Sequence, residues 1–134
     1  DSPREHERLV EHVEAVLQRL ELPYRILALA TGDLGFASAR TLDFEVWAAG
    51  VSAWLEASSA STFTGFQARR AHIRYRPVGG GRPAFVHTLN ASGVALPRTI
   101  IALLENNQRA DGTVRVPAAL VPYLGTDTLR PDGG

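Results

Sequence analysis

FVHTLNASGVALPRTIIALLENNQ, residues Phe85 to Gln108, is the stretch that decides how this chain is read. Its first part has the composition of a β-strand and ends in Asn90-Ala91-Ser92-Gly93. An apolar helical run follows from about Pro97, and Pro at a first helical position is pre-organised because its missing N–H would be unpaired there. The first turn of that helix carries one cation, Arg98. The helix dipole already places partial positive charge at this end, so Arg98 is awkward there unless an anion is bound. Free amides together with a guanidinium suit a phosphate. The stretch reads as strand, small polar loop and anion-facing helix, the parts of a nucleotide site.

Working outward, Ser2-Pro3-Arg4-Glu5 predicts a helix start, with Ser2 as N-cap, Pro3 at N1 and Glu5 closing a capping box. Leu9, Val13, Val16, Leu17 and Leu20 then form one apolar helical stripe. His6 and His12 lie six apart on different faces, as solvated helix histidines rather than a shared metal site. Tyr24 to Ala30 suits a buried strand. Leu42, Phe44 and Val46 alternate with Asp43, Glu45 and Trp47 as a half-buried strand. A turn at Ala49-Gly50 and a strand from Trp54 to Ser58 complete an antiparallel hairpin. Phe66 to Ala71 reads as a helical turn, His72 to Arg76 as an alternating strand, and Gly79-Gly80-Gly81 as a hairpin tip before a strand over Phe85 to Leu89. Asp111-Gly112 makes a turn, Val114 and Val116 an extended piece, and Pro117 starts a last short helix. The expected fold is α+β, a partial antiparallel sheet flanked by helices over residues 1–125, with 126–134 as a flexible tail.

Composition narrows the function classes. A length of 134 residues allows one domain with a modest core. The formal net charge is zero, so the whole-molecule field gives no reason for non-specific nucleic-acid binding. No apolar run approaches the ~20 residues of a membrane helix, and no signal peptide is visible. The absence of cysteine excludes disulfides and thiolate zinc sites, in keeping with a cytoplasmic protein. Asp1 stands where a translation start would have Met, so the chain is expected to be a piece of something larger.

Several constellations carry competing readings. Asp43 and Glu45 share a strand face and could act as acid/base or metal ligands, or pair across the sheet with His72, Arg74 and Arg76. The basic segment from Gln67 to Arg76 could track a phosphate backbone, although it lacks the aromatic interleaving of a single-strand binding face, or its arginines could serve neighbouring carboxylates. Gly79-Gly80-Gly81-Arg82-Pro83 lacks the following helix of a phosphate loop. Glu56 and Ser59 offer oxygen ligands for Mg²⁺, but at a spacing of three they face opposite ways unless the strand ends or bulges near Ser58. Asn90 and Ser92 fit either a polar loop or a ligand pocket beside Arg98.

At this point the residues match a known pattern. TLNASGVALPRTIIALLENNQ resembles motif 3 of the class II seryl-tRNA synthetases. LPYRILALATGDLGF, DFEVW, WLEASSASTFTGFQARR and DGTVRVPAALVPYLG fall around it in that family's order, so the resemblance runs from about Arg4 to Leu129. It implies a class II catalytic-core sheet, ATP and Mg²⁺ as cofactors, activation of L-serine to seryl-adenylate, and transfer to tRNA(Ser) by a homodimeric enzyme. By the same resemblance Glu56 and Ser59 bind ATP and its Mg²⁺, Asn90 and Ser92 hold the serine substrate, and Arg98 is the catalytic contact to the ATP phosphates. Many relatives have Thr where Ser92 stands. Cysteine is common where Ala30 and Ala60 stand, as is methionine at Leu34 and Leu124.

Motif 1, motif 2 and the tRNA-holding helical arm of that family lie upstream of Asp1. The chain alone is therefore expected to be inactive, as the C-terminal part of a catalytic domain. The alternative is a truncated, non-catalytic paralogue acting as a binding or regulatory module. A relative that loads a carrier protein is disfavoured, because those enzymes are expected to use a cysteine-containing zinc site.

Overall fold

The computed structural model describes residues Asp1 to Pro131. Helix α1 (Ser2–Arg19) leads into strands β1 (Tyr24–Ala28), β2 (Arg40–Ala48) and β3 (Ala53–Thr64). A short helix α2 (Phe66–Ala71) and the strands β4 (Arg74–Tyr75), β5 (Ala84–Phe85) and β6 (Thr88–Ala91) follow. Helix α3 (Leu96–Asn107), strand β7 (Val114–Arg115), helix α4 (Val121–Leu124) and strand β8 (Thr128–Leu129) complete the order. The main sheet is antiparallel in the order β1-β2-β3-β6, while β4–β5 and β7–β8 form two small ladders of their own.

The period-two pattern of β2 dictates one buried face. Phe44, Val46 and Ala48 are fully buried. Val13 and Leu17 of α1 and Ala102 of α3 join Phe44, Val46, Ala57 and Ala60 in a single core, so both helices cover the same side of the sheet. Burying a large apolar side chain of this kind contributes ~1.5–3 kcal/mol.

One irregularity sets everything that follows. β2 and β3 pair in register from Arg40 opposite Thr62 to Phe44 opposite Ser58, then resume with Glu45 opposite Glu56. Ala57 is the extra residue, which makes a β-bulge. Ala57 and Ser58 are consecutive yet both buried, at 0% and 2% exposure.

Elsewhere the structure corrects expectations. Tyr24–Ala28 is an edge strand with one neighbour, and Arg25, Ile26 and Ala28 are exposed rather than buried. Ser2 does not cap α1, because the helix begins at Ser2 with Asp1 as N-cap; the Ser2 hydroxyl lies 2.6 Å from His87 Nδ1 instead. Glu5 is engaged by Arg8 rather than closing a capping box. His6 is buried at 1% exposure, since it falls one turn before the apolar stripe of α1; its Nε2–H donates to the Ala60 carbonyl at 3.0 Å. The partner of Glu45 is Arg25 of the adjacent β1, at 2.5 Å, because β4 lies outside the main sheet. Thr128 and Leu129, assigned above to a loose tail, pair with Arg115 and Val114; residues 132–134 of that tail lie outside the described residues.

Candidate functional site

Residues directly opposed in an antiparallel pair point to the same side of a sheet. Ser59 opposes Asp43, Glu56 opposes Glu45, and Asn90 opposes Ser61. All lie on the face turned away from α1 and α3. The bulge is what achieves this: in an unbroken strand Glu56 and Ser59 would point to opposite faces, and Ser58 would take the place of Ser59 beside Glu56.

The loop and helix start that follow β6 are tied to the bulge by three hydrogen bonds. The buried Ser58 hydroxyl donates to the Ser92 carbonyl at 2.6 Å. The Ala95 amide donates to the Ala57 carbonyl at 2.5 Å. Arg98, in the first turn of α3, donates from Nη1 to the Glu56 carbonyl at 2.8 Å. The opposite end of α3 grips the same β2–β3 hairpin. Glu105 accepts hydrogen bonds from the amides of Gly50 and Val51 at 2.9 and 3.3 Å, and Asn106 donates to the Trp47 carbonyl at 2.6 Å. Both ends of α3 are thus anchored, which fixes the Arg98 guanidinium against the bulge.

The start of α3 has no side-chain cap. Its N-cap is Ala95, and no carboxylate lies in the first turn. The helix begins at Leu96, so Pro97 stands at the second position rather than the first. Orphan amides at such an end are open to an external acceptor.

Two carboxylates of β2 take different roles. Glu45 is neutralised by Arg25, whose guanidinium also lies 4.6 Å from the Trp54 ring centre. Asp43, opposite Ser59, has one buried carboxylate oxygen without a hydrogen-bond partner among the described residues. Asp43 therefore joins Glu56 and Ser59 on the candidate face. The sequence singled out Asp43 only beside Glu45; the ladder register and the position of the bulge bring it beside Glu56 and Ser59. Thr41 and Ser61, bonded to each other at 2.7 Å, extend the same face towards Asn90.

Glu56 and Ser59 supply hard oxygen donors of the type Mg²⁺ prefers. No cluster of three or more acidic or histidine ligands exists among the described residues. That donor set fits an ion brought in with phosphates, since Mg²⁺ is commonly held by one or two carboxylates plus substrate oxygens. Glu56, Asn90, Ser92 and Arg98 are exposed and Ser59 half-buried, so the site is one wall. The larger clefts of the molecule are lined by other residues, around Phe85 and His87.

Residues 1–107 match the family model of the tRNA synthetase class II core domain (G, H, P, S and T). The chain belongs to the class II tRNA synthetase core family. Within it, the chain is 59% identical over 130 residues to a serine–tRNA ligase of Acidobacterium capsulatum, and 60% identical over 124 residues to one of Thermomicrobium roseum. Those matches cover 97% and 92% of the chain but 29% and 28% of the ligases. The fold superposes on the seryl-tRNA synthetase of Pyrococcus horikoshii complexed with ATP, with TM-score 0.91 and 43% identity, over 96% of this chain and 29% of that one. It also superposes on the cytoplasmic serine–tRNA ligase of Naegleria fowleri in complex with AMP, with TM-score 0.87 and 33% identity, over 96% and 27%. The chain spans about three-tenths of the length of these relatives, and its antiparallel sheet flanked by helices is of the class II core type.

Proposed function

We propose that this chain supplies one wall of a site that activates L-serine with ATP, as part of a homodimeric cytoplasmic serine–tRNA ligase that then transfers serine to tRNA(Ser). The observation that carries the reading is the β-bulge at Ala57, which brings Glu56 and Ser59 onto one face while its carbonyls hold Arg98 and the loop after Asn90. The complexes of the two structural neighbours with ATP and AMP support a nucleotide as a ligand.

In the proposed reaction the serine carboxylate attacks the α-phosphate in line and pyrophosphate leaves. Arg98 is placed to neutralise phosphate charge, where a preorganised donor acts most strongly on charge that develops in the transition state. Glu56 and Ser59 would hold Mg²⁺ with ATP, and the ion would withdraw charge from the phosphate oxygens. Asn90 and Ser92 orient serine by hydrogen bonds to its hydroxyl. A pocket built this way rejects alanine, because its polar groups would be left unpaired.

The test is serine-dependent ATP–pyrophosphate exchange, measured on the chain alone and on a chimera. In the chimera the chain replaces the matching region of the Acidobacterium capsulatum ligase. Exchange by the chimera and none by the chain alone is the expected result. A folded chimera that fails to exchange overturns the reading in favour of a non-catalytic binding module.

A further inference from the structure

Two carboxylates meet at the bulge, and one cation distinguishes them. Glu45 and Glu56 are directly opposed across β2 and β3, on the candidate face. Side chains so placed have Cβ atoms about 4.5–5.5 Å apart, and like charges there repel. The pair would attract a cation, with Asp43 two residues along β2 as a third carboxylate on the same face. Arg25 intervenes. It is opposed to Glu45 across β1 and β2, and its Nε donates to Glu45 Oε2 at 2.5 Å. Among the described residues no ion pair engages Glu56 or Asp43.

An aromatic ring holds Arg25 in this position. Its guanidinium lies 4.6 Å from the Trp54 ring centre, and Trp54 packs edge to face on Trp47 at 5.3 Å. Trp54 stands two residues before Glu56 on the same face, about 7 Å along β3. The ring fixes the direction of the guanidinium, and its charge goes to Glu45. Stability is a poor reason for the pair. Arg25 sits on an edge strand with its side chain 47% exposed, where ion pairs contribute little. We infer that Arg25 is a positioning residue for the cation site of this wall. With Glu45 held, the face presents Glu56, exposed, and Asp43, half-buried with one oxygen out of water's reach. Those ligands are too few for a hard divalent ion by themselves, so the ion enters with the phosphates that complete its shell. Without Arg25, Glu45 would join them and the wall would take up a cation ahead of any nucleotide. This role rests on the reading that Glu56 and Ser59 hold Mg²⁺ with ATP.

The experiment titrates the chain with terbium in the absence of ATP and serine. Terbium is a hard ion that takes carboxylate oxygens, as Mg²⁺ and Ca²⁺ do. The two tryptophans of the chain both stand on this face, so terbium emission excited through tryptophan reports ions bound here. Arg25→Gln should tighten terbium binding by about tenfold or more, since one carboxylate is added to the ligand set. Arg25→Lys, which keeps the charge opposite Glu45, should stay near the unmodified chain. Adding Glu45→Gln to Arg25→Gln should cancel the gain. Unchanged affinity in Arg25→Gln overturns the inference, and so does a gain that survives Glu45→Gln or appears equally in Arg25→Lys. No nucleotide enters the titration, so a chimera that fails to exchange pyrophosphate counts against the adenylation reading and leaves these outcomes as they are.

Discussion

Ser58 and Ser59 are chemically identical neighbours on opposite faces of β3, and the bulge decides which of them faces the core, so replacing each by alanine distinguishes the bulged strand from an unbroken one. Ser58 is 2% exposed and its hydroxyl donates to the Ser92 carbonyl at 2.6 Å. Removing it loses one net hydrogen bond, about 0.5–1.5 kcal/mol. Ser92 is exposed, so water can satisfy its carbonyl and no further desolvation penalty is added. Ser59 lies on the candidate face, and its hydroxyl makes no hydrogen bond among the described residues. Ser59→Ala should therefore change stability by less than about 0.5 kcal/mol. Urea unfolding of the chain reads the difference: with a slope of about 2 kcal/mol/M, Ser58→Ala should lower the midpoint by about 0.5 M at constant slope, and Ser59→Ala should leave it nearly unmoved. In an unbroken strand the two would exchange places. A larger loss for Ser59→Ala than for Ser58→Ala would refute the bulge-based assignment of faces.

Other perturbations follow from the same geometry. Leu17→Ala empties a fully buried position between α1 and the sheet and should cost about 2–5 kcal/mol in denaturant titration. Glu105→Ala removes the acceptor of the Gly50 and Val51 amides, which remain open to water, and should cost about 1 kcal/mol, seen as a Tm lower by a few degrees. The Arg115 guanidinium bonded to Glu21 holds that carboxyl below its ordinary value, helped by the Ala118 amide. A lowered folded value gives stability that is present above the ordinary carboxylate range and is lost as pH falls through the folded value. Arg115→Gln should therefore flatten the acid limb of Tm against pH, and identical acid limbs in the two proteins would contradict the assignment.

Much of this fold was legible where local signals agreed. The alternation of Leu42, Phe44 and Val46, the α2 turn at Phe66–Ala71 and the helix after Ala95 all stand where sequence pattern places them. β3 was legible only in part. Its continuation from Ser59 to Thr64 is a run of Ser, Thr, Ala and Phe without apolar alternation, held by pairing with β2 and β6 rather than by its own pattern. The condition under which Glu56 and Ser59 could converge was legible, as a bulge near Ser58; its position at Ala57 and the recruitment of Asp43 come from register, which no spacing rule supplies. His6 and Ser2 were misread because a polar side chain's fate depends on tertiary partners. His6 finds the Ala60 carbonyl and Ser2 finds His87, both far away in sequence. The arginines of α2 and β4 had two readings in the sequence, a phosphate backbone or neighbouring carboxylates; Arg69, Arg70 and Arg74 lie over aromatic rings, and Arg70 also donates to the Phe66 carbonyl.

Arg98 donates to the Glu56 carbonyl at the bulge, and we propose that it faces the phosphates of ATP. Its most direct test is the rate of pyrophosphate exchange by the chimera carrying Arg98→Gln, measured at saturating ATP and serine beside the unmodified chimera. Loss of one preorganised charge-stabilising donor should slow exchange by about 10²–10³-fold. An unchanged rate at unchanged ATP affinity would contradict the account.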